Sequence, residues 1–238
     1  MTGRIDVHSH LLPGVDDGCA TFEESIECAR LLVSAGYTHA FCTPHLLPIY
    51  PHVTRASVAK WTMKLQEALG AAQVPLTLMP GGELNLHAGV TQMTIEQVIP
   101  LGITSKYMLT DIWCDRLPEF FEPAVRALQK MGLTVILAHP ERCRAVQEMP
   151  GMANWFAELG VLLQGNLQCL SDPPETRTRR VAEKYLKEDR YFMLGSDTHN
   201  PAGLTSRLSG LENAIRMVGS EAVDRLTRDN PRAIVNSA

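Results

Sequence analysis

Short apolar runs of β character alternate with helical patterns along the whole chain, about one pair per 30 residues, and this alternation restricts the fold more than any single motif does. Ile5–His8, Thr38–Thr43, Leu76–Pro80, Tyr107–Asp111, Leu133–Ala138, Val161–Asn166 and Tyr191–Ser196 read as seven strands. Strands that each lead into a helix run parallel, because a parallel pair cannot be closed by a tight turn and needs a long crossover. The first crossover opens at Thr21-Phe22-Glu23-Glu24, a capping box in which the threonine accepts from the backbone and Glu24 reaches back. Phe22, Ile26, Ala29 and Leu32 then recur every three or four residues up to Gly36, the stripe of a helix laid on a sheet. Trp61, Leu65 and Leu69 repeat the pattern, as do Phe121, Val125 and Leu128 before Gly132; weaker versions cover Met152–Leu159 and Val181–Leu186. No Pro/Ser/Gly-rich linker and no repeat divides the chain, so residues 1–238 read as one α/β domain.

The polar residues follow the same rhythm. His8 with His10, His45, Glu83, Asp111, His139, and Asp197 with His199 all fall at C-terminal strand ends. The steps from His8 to positions 45, 83, 111 and 139 are 37, 38, 28 and 28 residues, and a further 58, the length of two units, lead to Asp197. The sixth strand, ending near Asn166, supplies no obvious ligand. All strands of a (β/α) barrel point the same way, so these ends share one rim, the active-site face of that architecture. Asp17, in the loop Gly14-Val15-Asp16-Asp17-Gly18, reaches the same rim. In an extended strand, residues two apart leave one face, so His8-Ser9-His10 and Asp197-Thr198-His199 can each grip one ion.

Five imidazoles and four carboxylates without a thiolate suit dications such as Mn, Fe or Zn, and nine ligands exceed one closed zinc site, implying two or three ions. Four crowded carboxylates would repel one another or take up protons, whereas three dications would leave a net charge of about +2, ready for hydroxide and a phosphate oxyanion. The six cysteines, at 19, 28, 42, 114, 143 and 169, form no C-x-x-C pair, so reduced thiols are expected. None has an arginine six positions later, which excludes the phosphate-cradling loop of thiol phosphatases. With 26 acidic against 22 basic residues, a formal charge of −4 and no Lys/Arg block, the chain shows no surface for nucleic acid or membrane, and a nuclease is disfavoured. The first strand begins at once, without the pattern of a signal peptide, and no apolar stretch is long enough to span a bilayer, so a cytoplasmic protein is expected.

Asp6-x-His8-x-His10, Thr43-Pro44-His45, Gly82-Glu83, Ala138-His139-Pro140-Glu141-Arg142 and Gly195-Ser196-Asp197-x-His199-Asn200 resemble the motifs of the PHP (polymerase and histidinol phosphatase) superfamily. The run from His8 to Gly18 and the terminal Asn230-Pro231-Arg232-Ala233-Ile234 are closer still to its bacterial capsule-type tyrosine phosphatases. The resemblance covers the chain end to end. It implies a distorted (β/α)7 TIM-like barrel, the PHP fold, whose trinuclear site, with manganese as the favoured metal, hydrolyses phosphotyrosine on cytoplasmic tyrosine kinases that govern exopolysaccharide export. It puts His8, His10, Glu83 and Asp197 on one ion. Glu83 would bridge to a second ion, also held by His139 and Asp111, and Asp17, His45 and His199 would hold the third. A hydroxide bridging two ions would be the nucleophile. Arg142 matches the phosphate-binding arginine, whose planar guanidinium grips two phosphoryl oxygens.

This chain departs from the pattern at three points. Asp111 stands where the family usually has glutamate, which shortens the reach toward the second ion. Leu204 occupies the place of a second phosphate-binding arginine, with Arg207 three residues later as its candidate replacement. Leu46 follows His45 where a polar residue is common, and Leu47-Pro48-Ile49-Tyr50 makes this rim apolar. Elsewhere, His39 reads as structural, His52 and His87 as loop residues on the catalytic side, and Trp61, Trp113 and Trp155 as core or rim packing rather than a substrate platform. Asp6 reads as a strand-start acid in solvent, with support of an imidazole as the alternative. A histidinol-phosphate or other small-molecule phosphatase is the nearest alternative function, and a metal-stabilised binding module without activity is the alternative of another class.

Overall fold

All seven expected strands form, and the second and third each continue, after a break, into a further short strand not expected from the sequence. The computed structural model describes residues 3–102 and 104–237, and among them are nine parallel strands: β1 (Arg4–Ser9), β2 (Tyr37–Cys42), β3 (His45–Leu46), β4 (Thr77–Pro80), β5 (Glu83–Asn85), β6 (Tyr107–Asp111), β7 (Thr134–Ala138), β8 (Leu162–Asn166) and β9 (Met193–Gly195). The break after β2 falls at Thr43-Pro44, where proline has no N–H for the ladder. The break after β4 falls at Gly81-Gly82. The N-terminal pieces pair in the order β1-β2-β4, and the C-terminal pieces join β3-β5-β6-β7-β8-β9.

Two seams link the two sheets. Gly102 N donates to Pro80 O (2.7 Å) and Leu101 N to Tyr107 O (2.9 Å), which carries the chain across from β4 to β6. Asp197 N donates to His8 O (2.7 Å) and His10 N to Thr198 O (2.9 Å), which ties the end of β9 to β1 through the single bridge Ser9–Thr198. The architecture is thus an α/β, TIM-like barrel with seven strand positions, distorted at places that each adjoin a candidate ligand. His45 follows the first break, Glu83 the second, and His10 and Asp197 lie on the closing seam.

Helices α1 (Phe22–Ser34), α2 (Arg55–Ala71), α3 (Phe121–Lys130), α4 (Arg144–Glu148), α5 (Met152–Glu158), α6 (Leu167–Ser171), α7 (Arg177–Lys187) and α8 (Pro201–Val218) surround the strands, and α9 (Ser220–Asp224), a π-helical turn (Arg225–Asp229) and α10 (Asn230–Val235) end the chain. Thr21 caps α1 by accepting from Glu24 N (3.3 Å), but the Glu24 carboxylate takes Ala20 N (2.7 Å), one residue earlier than the capping box predicts. Gly36 follows α1 with φ 87°, as its role after a helix end requires. α8 is absent from the helices expected on periodicity. Its signals are present in Asn200, which accepts from Gly203 N (2.8 Å), in Pro201 at the first position, and in the stripe Leu204, Leu208, Leu211 and Ile215. Gly203, Ser206, Ser209 and Gly210 dilute its helix propensity.

Alternate strand residues face two cores. Ala40, Met108, Val135, Leu137 and Leu163 pack with Leu32, Val125, Leu128 and Tyr185 of the helices. Ile5, Val7, Phe41, Leu109, Ile136 and Met193 form a second cluster, which Ile234 of α10 joins. Each fully buried Leu, Ile or Phe contributes about 1.5–3 kcal/mol. All six cysteines are free thiols. Trp61 and Trp155 pack against the larger core, whereas Trp113 is 62% exposed on the rim after β6.

Candidate metal centre

β1 delivers His8 and His10 to the rim with their Nε2 atoms 3.2 Å apart. The His8 Nδ1–H donates to Gln164 Oε1 (2.8 Å), and the orientation of that amide is set because its nitrogen donates to Gly165 O (2.6 Å). The His10 Nδ1–H donates to the Asp16 carboxylate (2.7 Å), and the His199 Nδ1–H to the backbone oxygen of Asp197 (2.9 Å). These partners assign the proton of each neutral ring to Nδ1 and leave Nε2 as a lone pair turned into the cluster. Glu83 enters from β5. Its Oε2 lies 3.3 Å from His8 Nε2, 3.5 Å from His10 Nε2 and 2.9 Å from His45 Nδ1, and its Oε1 lies 3.1 Å from His139 Nε2. Asp197 Oδ1 is 3.4 Å from both His8 Nε2 and His10 Nε2.

With those tautomers the Nε2 lone pairs of His8 and His10 face the oxygens of Glu83 and Asp197, acceptor against acceptor, whereas His139 Nε2 hydrogen-bonds Glu83 Oε1. Glu83 Oε2, His45 Nδ1 and Asp111 Oδ2 are buried without a hydrogen-bond partner, although the first two are neighbours, because their geometry does not align a donor with an acceptor. A set of divalent cations fits this arrangement of imidazole and carboxylate donors.

All nine residues expected at the rim come together. Their ligand atoms form four overlapping groups, each within 4.8 Å: His10-Asp17-His45-His199, His8-His10-Asp197, His8-Glu83-His139 and His45-Glu83-Asp111. The grouping differs from the expected partition: Asp111 falls with His45 and Glu83 rather than with His139, His139 falls with His8 and Glu83, and His10 also joins Asp17, His45 and His199. Aspartate is one methylene shorter than glutamate, and Asn85 Nδ2 donates to its Oδ1 (3.0 Å), holding it on the β5–β6 side.

The backbone is bent to make this cluster. His139 (φ 36°) and Asp197 (φ 51°) both adopt the left-handed conformation, which costs about 1–3 kcal/mol each for such residues. A Cβ on Gly195 would stand 2.8 Å from His8 Cβ, so glycine is what lets β9 close upon β1.

Electrostatics follow from burial and crowding. Burial works to raise the carboxyl groups of Glu83 and Asp197, but the surrounding imidazoles, His8 first, hold both well below the usual range. Burial opposes charge on His8 and His10, yet the nearby carboxylates push both upward. Burial and then the charge of Glu83 raise Asp111 to about 6. The carboxylates therefore require positive charge, which protons on the imidazoles or dications at the same points can supply.

Arg142, on the 3-10 turn Pro140–Arg142 after β7, puts Nη1 2.9 Å from Asp197 Oδ2 while Nη2 donates to Gln168 Oε1 (3.0 Å). Its side chain is 37% exposed at the rim. Arg207 is more deeply set, at 11% exposure, and its Nη1 donates to Ser196 O (2.9 Å) and Asp197 Oδ2 (3.3 Å). Asn166 Nδ2 donates to the same oxygen (2.7 Å). Asp197 thus turns one oxygen to the imidazoles and the other to three donors. Leu204 is wholly buried one turn before Arg207 and contributes only packing.

Several supporting residues carry little or no signal in the sequence. Asp16, which also accepts from His45 N (2.9 Å), is visible there only as a neighbour of Asp17. Gln164 and Asn166, from the strand that supplies no ligand, carry no signal at all. Glu141 is buried and accepts from Asn166 N (2.7 Å) and Tyr191 Oη–H (2.9 Å), fixing the turn that carries His139 and Arg142. Asp6 lies neither in solvent nor on an imidazole: it is fully buried and accepts from Ser196 N (2.9 Å) and the Ser196 hydroxyl, securing the turn into Asp197. His52 Nε2–H donates to Val15 O (2.8 Å) and His87 Nδ1 accepts from Gly89 N (3.1 Å), so both serve their loops. The His39 ring hydrogen-bonds Thr38 Oγ1 (2.9 Å).

A parallel (β/α) barrel with an imidazole–carboxylate cluster on its C-terminal rim, flanked by a guanidinium, has the architecture of a barrel metallohydrolase. Within that class the chain belongs to the family described as capsular polysaccharide synthesis, CpsB/CapC, which matches residues 4–236. It is 29% identical over 197 residues to the tyrosine-protein phosphatase YwqE of Bacillus subtilis, across 82% of this chain and 77% of that one. It is 23% identical over 240 residues to the tyrosine-protein phosphatase CpsB of Streptococcus pneumoniae, across 97% and 98% of the two chains. A chain from the crystal structures of YwqE and CpsB, described as unique metal-dependent tyrosine phosphatases, superposes with a TM-score of 0.89 at 27% identity, covering 98% of this chain and 95% of its own length.

Proposed function

We propose that this protein is a metal-dependent protein-tyrosine phosphatase, a single cytoplasmic domain over residues 1–238 acting on phosphotyrosine of a tyrosine kinase linked to capsule or exopolysaccharide synthesis. The observation that carries this reading is the convergence of unpaired imidazole and carboxylate lone pairs beside the partly exposed Arg142. Likeness over nearly the whole chain to proteins named tyrosine phosphatases supports the substrate class.

On this reading His8, His10, Asp17, His45, Glu83, Asp111, His139, Asp197 and His199 hold two or three dications, manganese by preference over iron or zinc. When bound, such ions supply Lewis acidity and lower the pKa of water toward neutrality. The chain's own residues do the rest. Gln164 and Asp16 keep His8 and His10 in the tautomer that presents Nε2. Arg142 grips the phosphoryl oxygens and meets the negative charge that grows on them as the ester bond to the tyrosine oxygen breaks. Arg207 adds a second positive charge behind it and anchors Asp197.

Hydrolysis of p-nitrophenyl phosphate and of a phosphotyrosyl peptide is the test: activity lost to a chelator should return with Mn²⁺. A metal-replete preparation without phosphatase activity, whose metal content is also unchanged by His8→Ala and His10→Ala, would overturn the reading.

A further inference from the structure

Trp113 stands at the rim just beyond β6, 62% exposed, with its ring centroid 5.6 Å from that of His45 at an interplanar angle of 89°. Its neighbour Cys114 brings Sγ within 3.7 Å of Cys143 Sγ, and Cys143 directly follows Arg142. The indole and the guanidinium therefore rise from adjoining rim loops, one against His45 and the other 2.9 Å from Asp197. The segment after β3 adds apolar surface with Ile49, itself 71% exposed, and the ring of Tyr50. Cation-binding groups and Arg142 thus lie next to a large, unburied aromatic face.

We propose that Trp113 is the platform for the ring of an aryl phosphate, and that it makes this site select phosphate esters of aromatic alcohols over those of alkyl alcohols. The inference rests on the phosphatase reading of the same centre and adds to it a residue that determines specificity. A phosphoryl group seated against the cluster and Arg142 directs its ester substituent outward. In a phenyl ester the ring follows the ester oxygen immediately, so that it extends toward the indole beside His45. A phosphoserine offers only a methylene there, with no π face to stack. An aromatic pair of this kind forms equally in the bound substrate and in the transition state, so its loss belongs in KM rather than kcat. The exposed indole supports no core, so its replacement leaves the fold intact.

The experiment uses the full chain loaded with Mn²⁺, in wild-type form and as Trp113→Ala and Trp113→Phe, with metal content measured for each. Trp113→Ala should raise KM for phenyl phosphate and a phosphotyrosyl peptide about 10-fold, equivalent to about 1.4 kcal/mol, with kcat within about twofold and a phosphoseryl peptide unaffected. Trp113→Phe should restore KM to near the wild-type value. Independently of turnover, phenylphosphonate but not methylphosphonate should change the tryptophan fluorescence of the wild type, and the change should vanish in Trp113→Phe. If the wild type hydrolyses aryl phosphates and Trp113→Ala leaves their KM unchanged, or raises it equally for the phosphoseryl peptide, the platform is overturned while the phosphatase reading stands. If no ester is hydrolysed but phenylphosphonate still reports through Trp113, the phosphatase reading falls and the aryl site survives. Absence of both effects removes both.

Discussion

Replacing Asp111 by asparagine should stabilise the metal-free protein and destabilise it relative to wild type once manganese is present. Asp111 is fully buried, with one oxygen accepting from Asn85 Nδ2 (3.0 Å) and the other without a partner. Burial and then the negative charge of Glu83 raise its pKa from 3.8 to about 6. Because the folded value exceeds the unfolded one, the favourable contribution belongs to the protonated form. It is fully present below pH 3.8 and lost as pH rises through about 6. Above that, keeping the carboxylate ionised costs about 3 kcal/mol, since each tenfold change in proton affinity is worth about 1.4 kcal/mol. Asparagine retains the acceptor for Asn85 and removes the charge, but its amide nitrogen inherits the unpartnered position at a cost of about 1–2 kcal/mol. The net gain at pH 8 in chelator is about 1–2 kcal/mol, or about 2–8 °C in Tm for a chain of this size. Manganese at about 100 times its Kd stabilises the wild type by about 2.7 kcal/mol, and the variant should forfeit much of this. Thermal unfolding at pH 8, in chelator and in Mn²⁺, reads both effects. A variant less stable than wild type in chelator, or one that gains the same Tm from Mn²⁺, would mean that Asp111 is neither a buried charge in the apo protein nor a manganese ligand.

Three further expectations follow from the same geometry. Manganese affinity by titration calorimetry should fall as pH drops, first as His8 and His10 take up protons above the usual imidazole range and further below about 6, where Asp111 does, and an affinity unchanged from pH 5 to 8 would contradict the assignment. Arg142→Ala should lower kcat/KM for a phosphotyrosyl peptide by about 10²–10³ with metal content unchanged; a loss below about threefold would remove Arg142 from phosphoryl binding. A Cβ at Gly18 would overlap the carbonyl oxygen and Cβ of His10, so Gly18→Ala should displace the loop carrying Asp16 and Asp17. Equilibrium dialysis should then show manganese binding weakened at least about 10-fold, and wild-type affinity would show that the loop can adjust.

Much of the barrel is legible in the chain because strand and helix periods are local. Ile5–His8 and Tyr107–Asp111 are recognisable without knowing their neighbours, and parallel strands oblige their C-terminal ends to meet. The nine residues of the cluster are legible for the same reason. Asp6 is not, because its partner Ser196 lies 190 residues away, across the closing seam. The breaks at Thr43-Pro44 and Gly81-Gly82 are visible as residues but not as breaks, since whether a strand bends depends on the ring it must close. Residue types and strand spacing alone place imidazoles and carboxylates on one rim. Only the tertiary structure decided which lone pairs face one another, that Asp111 sides with His45 rather than His139, that Gln164, Asp16 and Asn166 orient the ligands, and that Trp113 is left in the open. Residue type and spacing set which groups share a face, whereas distances of about 3 Å between groups from different strands arise only when the strand ends are brought together.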